Sequence, residues 1–112
     1  MKRYKVYHSN TFDKALENLH KNIQNYVGKI ENQLVENPYV GAPLGVKWFR
    51  EKRFEKYRIY YLIYEDLQSV FIVAISEKKD QQKTINTIKL LTDLFKQELK
   101  SLIKTGNSEK PT

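Results

Sequence analysis

Basic residues recur on strand-like segments between residues 47 and 77, and their chemistry suits a polyanion. Arginine binds phosphate through a bidentate fork, lysine binds it as a point charge, and tyrosine or tryptophan can stack on an unpaired base. Phosphate clamps with a proton acceptor and a proton donor are sufficient to cleave RNA by attack of the 2′-hydroxyl, without a metal. The residues that could supply this chemistry are Trp48, Arg50, Lys52, Arg53, Arg58, Tyr60, Lys78 and Lys79.

The turn between two of these segments determines which side chains share a face of the sheet. We expect a three-residue loop at 54–56, which places Lys52 directly opposite Arg58. Like charges in such a pair repel each other, so the arrangement makes sense if an anion lies over it. A two-residue loop would shift the register by one and move Lys52 to the opposite face. With the three-residue loop, one face carries Trp48, Arg50, Lys52, Arg58 and Tyr60.

A purely structural interpretation has equal support from the residues alone. Glu51, Glu55 and Glu65 lie near enough in sequence to pair with some of the cations. The tyrosines of residues 57–64 are also ordinary half-buried strand residues. The basic side chains would then only line a solvated face.

Composition narrows the class of protein. The 112 residues fit one domain, and the absence of cysteine excludes disulfides and thiolate metal sites. A net charge of +7 favours an anionic partner such as nucleic acid or an acidic protein. His8 and His20 have no acidic or histidine partner at ligand spacing, so we expect neither a metal nor a cofactor. Without an apolar run of ~20 residues or a signal-peptide core, we expect a cytoplasmic protein that does not enter the membrane.

Hydrophobic periodicity predicts the elements that position these residues. Residues 3–8 alternate as a first strand, and apolar residues at helical spacing follow as two helices with a break at 20–22. Asn37 and Pro38 end the second helix, and a Pro- and Gly-rich loop runs to residue 46. Strands then follow at 47–53, 57–64 and 69–76, and residues 81–104 form one helix.

This order predicts an α+β fold. We expect two layers: a helical hairpin on one face of a four-stranded sheet, in which the last three strands form an antiparallel meander. The last helix could pack on the sheet or on the hairpin. The domain spans residues 1–104, and the polar residues 105–112 form a disordered tail.

The same order of elements resembles the RelE/ParE superfamily of type II toxin–antitoxin toxins, in its RelE-like branch. The resemblance covers about residues 3–100. It rests on Asn37-Pro38, residues 41–44, 48–53 and 57–61, and the sequence Ile75-Ser76-Glu77-Lys78-Lys79. It implies a toxin that cleaves mRNA on the ribosome and is neutralised by a small antitoxin protein. The expected assembly is a homodimer of the chain or a toxin–antitoxin hetero-oligomer.

The resemblance also implies site residues. Arg50, Lys52, Arg58 and Lys79 match the family's catalytic positions, and Trp48, Arg53, Tyr60 and Lys78 would contact RNA. The family's C-terminal catalytic tyrosine has no clear match, because Gln82 or Asn86 stands near that place. Two alternatives therefore stay open: a ParE-like toxin that acts by binding, for example on DNA gyrase, and a plain nucleic-acid-binding or protein-binding module.

Overall fold

The computed structural model describes residues 3–105 and confirms the α+β class. Its elements, in chain order, are β1 (Lys5–His8), α1 (Asn10–Glu17), α2 (Lys21–Glu36), β2 (Ala42–Pro43), β3 (Phe49–Phe54), β4 (Tyr57–Tyr64), β5 (Ser69–Glu77), α3 (Gln81–Leu90) and α4 (Thr92–Thr105). Three short 3₁₀ helices, Pro38–Val40, Glu65–Leu67 and Lys78–Asp80, connect them. No helix within this part of the chain has the length and hydrophobicity needed to cross a membrane.

The sheet has five strands in the order β1-β5-β4-β3-β2, where four were expected. β1 is parallel to β5, and the other pairs are antiparallel. The extra strand, β2, lies inside the expected loop, where proline is tolerated because the strand is at the edge. Gly41 allows this close approach, since a Cβ there would lie 2.5 Å from the Glu51 carbonyl oxygen.

The helical hairpin covers one face of the sheet, as expected. Ser9 caps the start of α1 by accepting a hydrogen bond from the Phe12 amide. The helical conformation is interrupted after Glu17, and His20 caps the start of α2. The buried residues of this face include Phe12, Ile30 and Ile72. We name this face the hairpin face.

The last two helices cover the opposite face and add a layer to the two that were expected. Residues 81–104 do not form one continuous helix, because the helical conformation is interrupted at Leu91 between α3 and α4. The Tyr64 hydroxyl donates to the Thr92 carbonyl at this break. The side chains Phe49, Leu62, Phe71, Ile88 and Leu99 form a second core here. Thr105 belongs to α4, and the other tail residues, 106–112, lie outside the described residues.

The β3–β4 register differs from the expected one by one residue. The turn contains only Glu55 and Lys56, because Phe54 belongs to β3 and pairs with Tyr57. Phe54 stacks on Tyr26 of α2 with 4.5 Å between ring centroids, so packing on the hairpin face holds this register. Glu55 closes the tight turn with a positive φ of 53°.

His8 has acidic partners that the sequence spacing did not reveal. Its side chain is 3% exposed, and its Nδ1 lies 2.9 Å from the Asp13 carboxylate. Its Nε2 faces the carboxylate of Glu31 on α2. His8 therefore links β1 to both helices of the hairpin. No group of three His, Cys, Asp or Glu side chains between residues 3 and 105 could hold a metal ion.

Candidate functional site

Two arginines lie directly opposite each other at the turn end of the β3–β4 ladder. Arg53 pairs with Arg58, and both lie on the face that carries α3 and α4. The Arg53 side chain is 65% exposed, whereas Arg58 is 6% exposed. Like charges at directly opposed positions destabilise a sheet, so a nearby anion is favourable at this pair.

The guanidinium of Arg58 is only partly satisfied by the protein. Its Nη1 donates to the carbonyls of Glu55 and Tyr57, at 3.1 and 2.9 Å, which ties it to the turn. Its Nε is buried and has no hydrogen-bond partner among the described residues. A buried, unsatisfied donor costs about 1–3 kcal/mol, and more when it is charged. An anion that accepted from Nε would recover that cost.

A buried carboxylate lies on the same face, two residues before Arg53 along β3. Glu51 is opposite Tyr60, and its side chain is only 1% exposed. Arg53 Nε lies 3.3 Å from Glu51 Oε2, and Gln81 Nε2 donates to Oε1 at 2.7 Å. Sequence reasoning treated Glu51 as a charge partner and missed it as a site residue. Its alternation with Phe49 and Arg53 could have indicated this face.

Tyr60 lies beneath the site, and its hydroxyl has a partner. The residue is fully buried, and its hydroxyl and the Ser76 hydroxyl are 2.9 Å apart. Burial raises the pKa of the Tyr60 phenol. Ser76 is in turn opposite Arg58 on β5. Tyr60 therefore positions Ser76 beneath the arginine pair and is not exposed for stacking on a base.

The rim of the site is basic. Lys78 and Lys79 are exposed on the 3₁₀ helix that leads from β5 into α3. Lys56, in the turn, is 3.6 Å from the Glu77 carboxylate. The Lys78 amide donates to the Lys56 carbonyl, and Lys78 follows two residues after Ser76, the partner of Arg58, so these lysines extend the positive charge beyond the arginine pair.

Two expected site residues lie on the hairpin face. Arg50 donates to three carbonyls of the loop before β3, those of Tyr39, Gly41 and Lys47, at distances of 2.9 to 3.1 Å. It is therefore occupied by the loop that it holds in place. Lys52 is half-buried opposite Ile59 and makes no ion pair within the described part of the chain.

Trp48 lies at the other end of β3. It is 44% exposed and lines a groove with Tyr64, Asp66 and Asp93. Phe49 and Arg53 are separated by four residues along β3, about 13 Å at strand spacing. Trp48 is therefore too far along β3 to share the site of Arg58. Arg50 and Lys52 are excluded from it because they lie on the opposite face, so the expectation of a common face is wrong.

The arrangement at the arginine pair can hold an oxyanion beside a carboxylate. We name the set Glu51, Arg53 and Arg58 the arginine site. It combines an exposed guanidinium, a buried guanidinium with a free donor, and a buried carboxylate. These groups can bind a phosphodiester and accept a proton from a neighbouring hydroxyl.

Comparison with known proteins relates the chain to one family. The profile of the family described as the ParE toxin of type II toxin-antitoxin system, parDE, matches residues 6–82. No curated protein matches the chain significantly.

Solved structures of toxins and their complexes share the fold. A chain of the toxin–antitoxin complex RelBE2 from Mycobacterium tuberculosis is 26% identical, with a TM-score of 0.59, over 69% of this chain and 93% of that chain. A mutant of the E. coli toxin RelE in the free state has a TM-score of 0.68 and 14% identity, over 80% of this chain and 98% of that chain. The intact E. coli RelBE complex contains a chain with a TM-score of 0.59 and 15% identity, over 66% of this chain and 95% of that chain. The two E. coli structures show likeness in fold alone.

Proposed function

The chain belongs to the ParE toxin family of type II toxin–antitoxin systems, and from that premise we propose that it stops translation by cleaving mRNA on the ribosome at the arginine site. Its partners in this proposal are the translated message and a cognate antitoxin. The antitoxin is supported by the RelBE toxin-antitoxin complexes that share its fold. The target places its action in the cytoplasm. Neither a metal nor a cofactor has a part in the proposed reaction.

The observation that carries the proposal is the buried Arg58 guanidinium with a partnerless Nε among the described residues, opposite a second arginine. The Glu51 carboxylate lies against Arg53, whereas Arg58 Nε has no acceptor among the described residues, so Arg58 still has a buried donor that an anion could satisfy. A phosphate between the two arginines would accept from both forks and remove the repulsion.

The proposed reaction uses the arginine site and one rim lysine. Glu51 accepts the proton of a 2′-hydroxyl, whose oxygen forms a bond to phosphorus as the bond from phosphorus to the 5′-oxygen breaks. Arg53 and Arg58 stabilise the charge that develops on the phosphoryl oxygens. The leaving 5′-oxygen takes a proton from Lys79. The products are a 2′,3′-cyclic phosphate and a free 5′-hydroxyl.

Arg53 can also control access to the carboxylate. Its exposed side chain lies against Glu51, so a bound phosphate would draw the guanidinium away from the carboxylate. Glu51 would then be free to take the proton only when substrate is present. Arg50, Lys52 and Trp48 have no part in this reaction, and Lys78 is a contact for a neighbouring phosphate.

The decisive experiment is cleavage of a translated message by purified protein and ribosomes, with the new 5′ ends mapped. Wild-type protein is expected to cut, and Arg58→Ala and Glu51→Gln are expected to lower the rate about 10²-fold or more. Glu17→Gln, at an exposed position on α1, is the matched control for the loss of one carboxylate. Full cleavage by Glu51→Gln would rule out the proposed base.

A second candidate function is inhibition by binding, without catalysis. The observation in its favour is that the Tyr60 hydroxyl is buried against Ser76, so no tyrosine of the site offers a proton to the leaving group. A supercoiling assay with DNA gyrase tests one such target. Gyrase inhibition together with intact messages would favour this candidate over cleavage.

A further inference from the structure

The Glu51 carboxylate is held by a different side chain at each of its two oxygens. Gln81 Nε2 donates to Oε1 at 2.7 Å, whereas Arg53 Nε lies 3.3 Å from Oε2. The first distance is that of a short, well-formed hydrogen bond, and the second is long for a bond between two charged groups. Gln81 therefore holds the carboxylate more closely than Arg53 does.

The two side chains also differ in how firmly they are themselves placed. The Arg53 side chain is 65% exposed at the end of β3, so it can move when a ligand binds. Gln81 is half-buried and is the first residue of α3. Its position on the chain is therefore set by whatever fixes the start of that helix.

The start of α3 is fixed from both directions along the chain. Before it, the Lys78 amide donates to the Lys56 carbonyl in the β3–β4 turn at 2.7 Å. After it, Ile85 and Ile88 are buried in the second core. The backbone at residue 81 is thus tied to the sheet on both sides, and its side chain is a preorganised donor.

The donor at this place is also uncharged. A cation within about 4–6 Å of a carboxylate favours its ionised form and so weakens it as a base. The Gln81 amide can orient the Glu51 carboxylate without adding such a charge. The carboxylate then keeps its capacity to accept a proton once the Arg53 guanidinium has moved away.

We propose that Gln81 is a positioning residue for cleavage, which fixes Glu51 through Oε1 and leaves Oε2 to take the proton of the 2′-hydroxyl. The inference rests on the proposed function, in which Glu51 is the base and a bound phosphate draws Arg53 from Oε2. After that movement, the bond from Gln81 is the remaining side-chain hydrogen bond to this carboxylate within residues 3–105. A carboxylate free to rotate would lose the alignment that proton transfer requires.

Steady-state cleavage of a translated message on ribosomes tests this role. Gln81→Met keeps the length of the side chain and removes the donor, so kcat is expected to fall about tenfold while KM stays within about twofold. Gln82→Met is the matched control, because Gln82 is exposed and bonds only within its own helix, to Asn86 at 3.0 Å. It should leave both constants within about twofold. Equal losses in the two variants, or a change in KM alone, would overturn the inference.

A titration without RNA or ribosomes provides a second readout, which a merely structural contact elsewhere would not move. Gln81→Glu places a second carboxylate against Glu51, and two carboxylates at that distance share a proton. The midpoint of the Glu51 titration, followed by carbon-13 NMR of the full chain, should therefore rise by about one pH unit or more. Gln82→Glu should leave that midpoint unchanged. Both variants leave in place the other charged or titratable groups around the site, which are Arg53, Arg58, Tyr60 and Asp80.

The outcomes separate this inference from the proposed function. Cleavage that is insensitive to Gln81→Met, or a Glu51 titration that is insensitive to Gln81→Glu, would overturn the positioning role and leave the nuclease standing. Absence of cleavage by the wild-type protein would overturn the proposed function and the positioning role together.

Discussion

Arg53 and Arg58 face each other across β3 and β4, and one guanidinium is exposed while the other is buried. Arg58 is held by two carbonyls of the turn and keeps a buried Nε without a partner among residues 3–105. Arg53 instead reaches the Glu51 carboxylate. This pair makes the face with α3 and α4 the site of interest, and the first prediction follows from it.

RNA binding is expected to depend on Arg53 and not on its neighbour Lys52. With a 2′-O-methyl RNA that cannot be cleaved, Arg53→Gln should weaken binding about tenfold and lower the salt slope by about one. Lys52→Gln removes the same charge from the hairpin face and should change neither quantity appreciably. Affinities measured across a salt series check this. A larger effect at Lys52 would place the RNA on the hairpin face and contradict the arginine site.

Arg50 is expected to matter for stability. Arg50→Ala leaves three loop carbonyls without their charged donor and should lower the free energy of unfolding by about 2 kcal/mol. Arg50→Lys should recover little, because an ammonium cannot span carbonyls that the planar fork reaches. Urea unfolding provides the measurement. RNA affinity per folded molecule should stay unchanged, and its loss would contradict the structural role.

The β3–β4 turn is expected to gain stability from glycine at one position only. Glu55 has a φ of 53°, a conformation that glycine adopts without strain, so Glu55→Gly should raise the free energy of unfolding by about 0.5–1 kcal/mol. At Lys56, which has a negative φ, glycine should lower it by a similar amount. Thermal or urea unfolding distinguishes the two variants. Stabilisation by both would indicate a different turn.

Stability is expected to fall as the pH rises above 10. Burial, and then the Glu65 carboxylate that accepts its hydroxyl, raise the pKa of Tyr39 from 10.0 to about 12. Burial raises the pKa of the phenols of Tyr4, Tyr26, Tyr60, Tyr61 and Tyr64 as well. Between pH 10 and about 12, the unfolded chain releases phenol protons that the folded chain retains, so rising pH favours unfolding.

Urea midpoints between pH 8 and 12, with tyrosinate absorbance recorded in parallel, test this behaviour. Tyr39→Phe should reduce the number of protons released on unfolding by up to about one between pH 10 and 12. The stability of this variant should therefore fall less steeply with pH than that of the wild type. A free energy of unfolding that stays constant between pH 10 and 12 would contradict the raised pKa values of the buried phenols.

Local patterns predicted most elements because each carries its own signal. Ile and Tyr indicated β4 at residues 57–64, and the weak helix formers near His20 indicated the hairpin break. β2 and the break at Leu91 had no such signal. β2 depends on a close approach at Gly41, and the break coincides with a contact from Tyr64, which is distant in sequence.

The sequence predicted several residues of the candidate site, but it did not predict the full set that lies together in the structure. Arg53, Arg58, Tyr60, Lys78 and Lys79 are among the residues selected from sequence. Glu51 was missed because an exposed glutamate and a buried one look alike along a chain. Gln81, on a later helix, covers that carboxylate, and only the packing of α3 brings the two together.

By itself, the sequence determined the order of strands and helices, the positive charge and the basic residues near the turn. The tertiary structure decided which of those residues face one another. Side chains alternate with a period of two, so assigning Phe54 to the strand reversed the faces of Arg50, Lys52 and Arg53 relative to Arg58. That assignment depends on stacking between Phe54 and Tyr26, a contact between residues far apart in the chain.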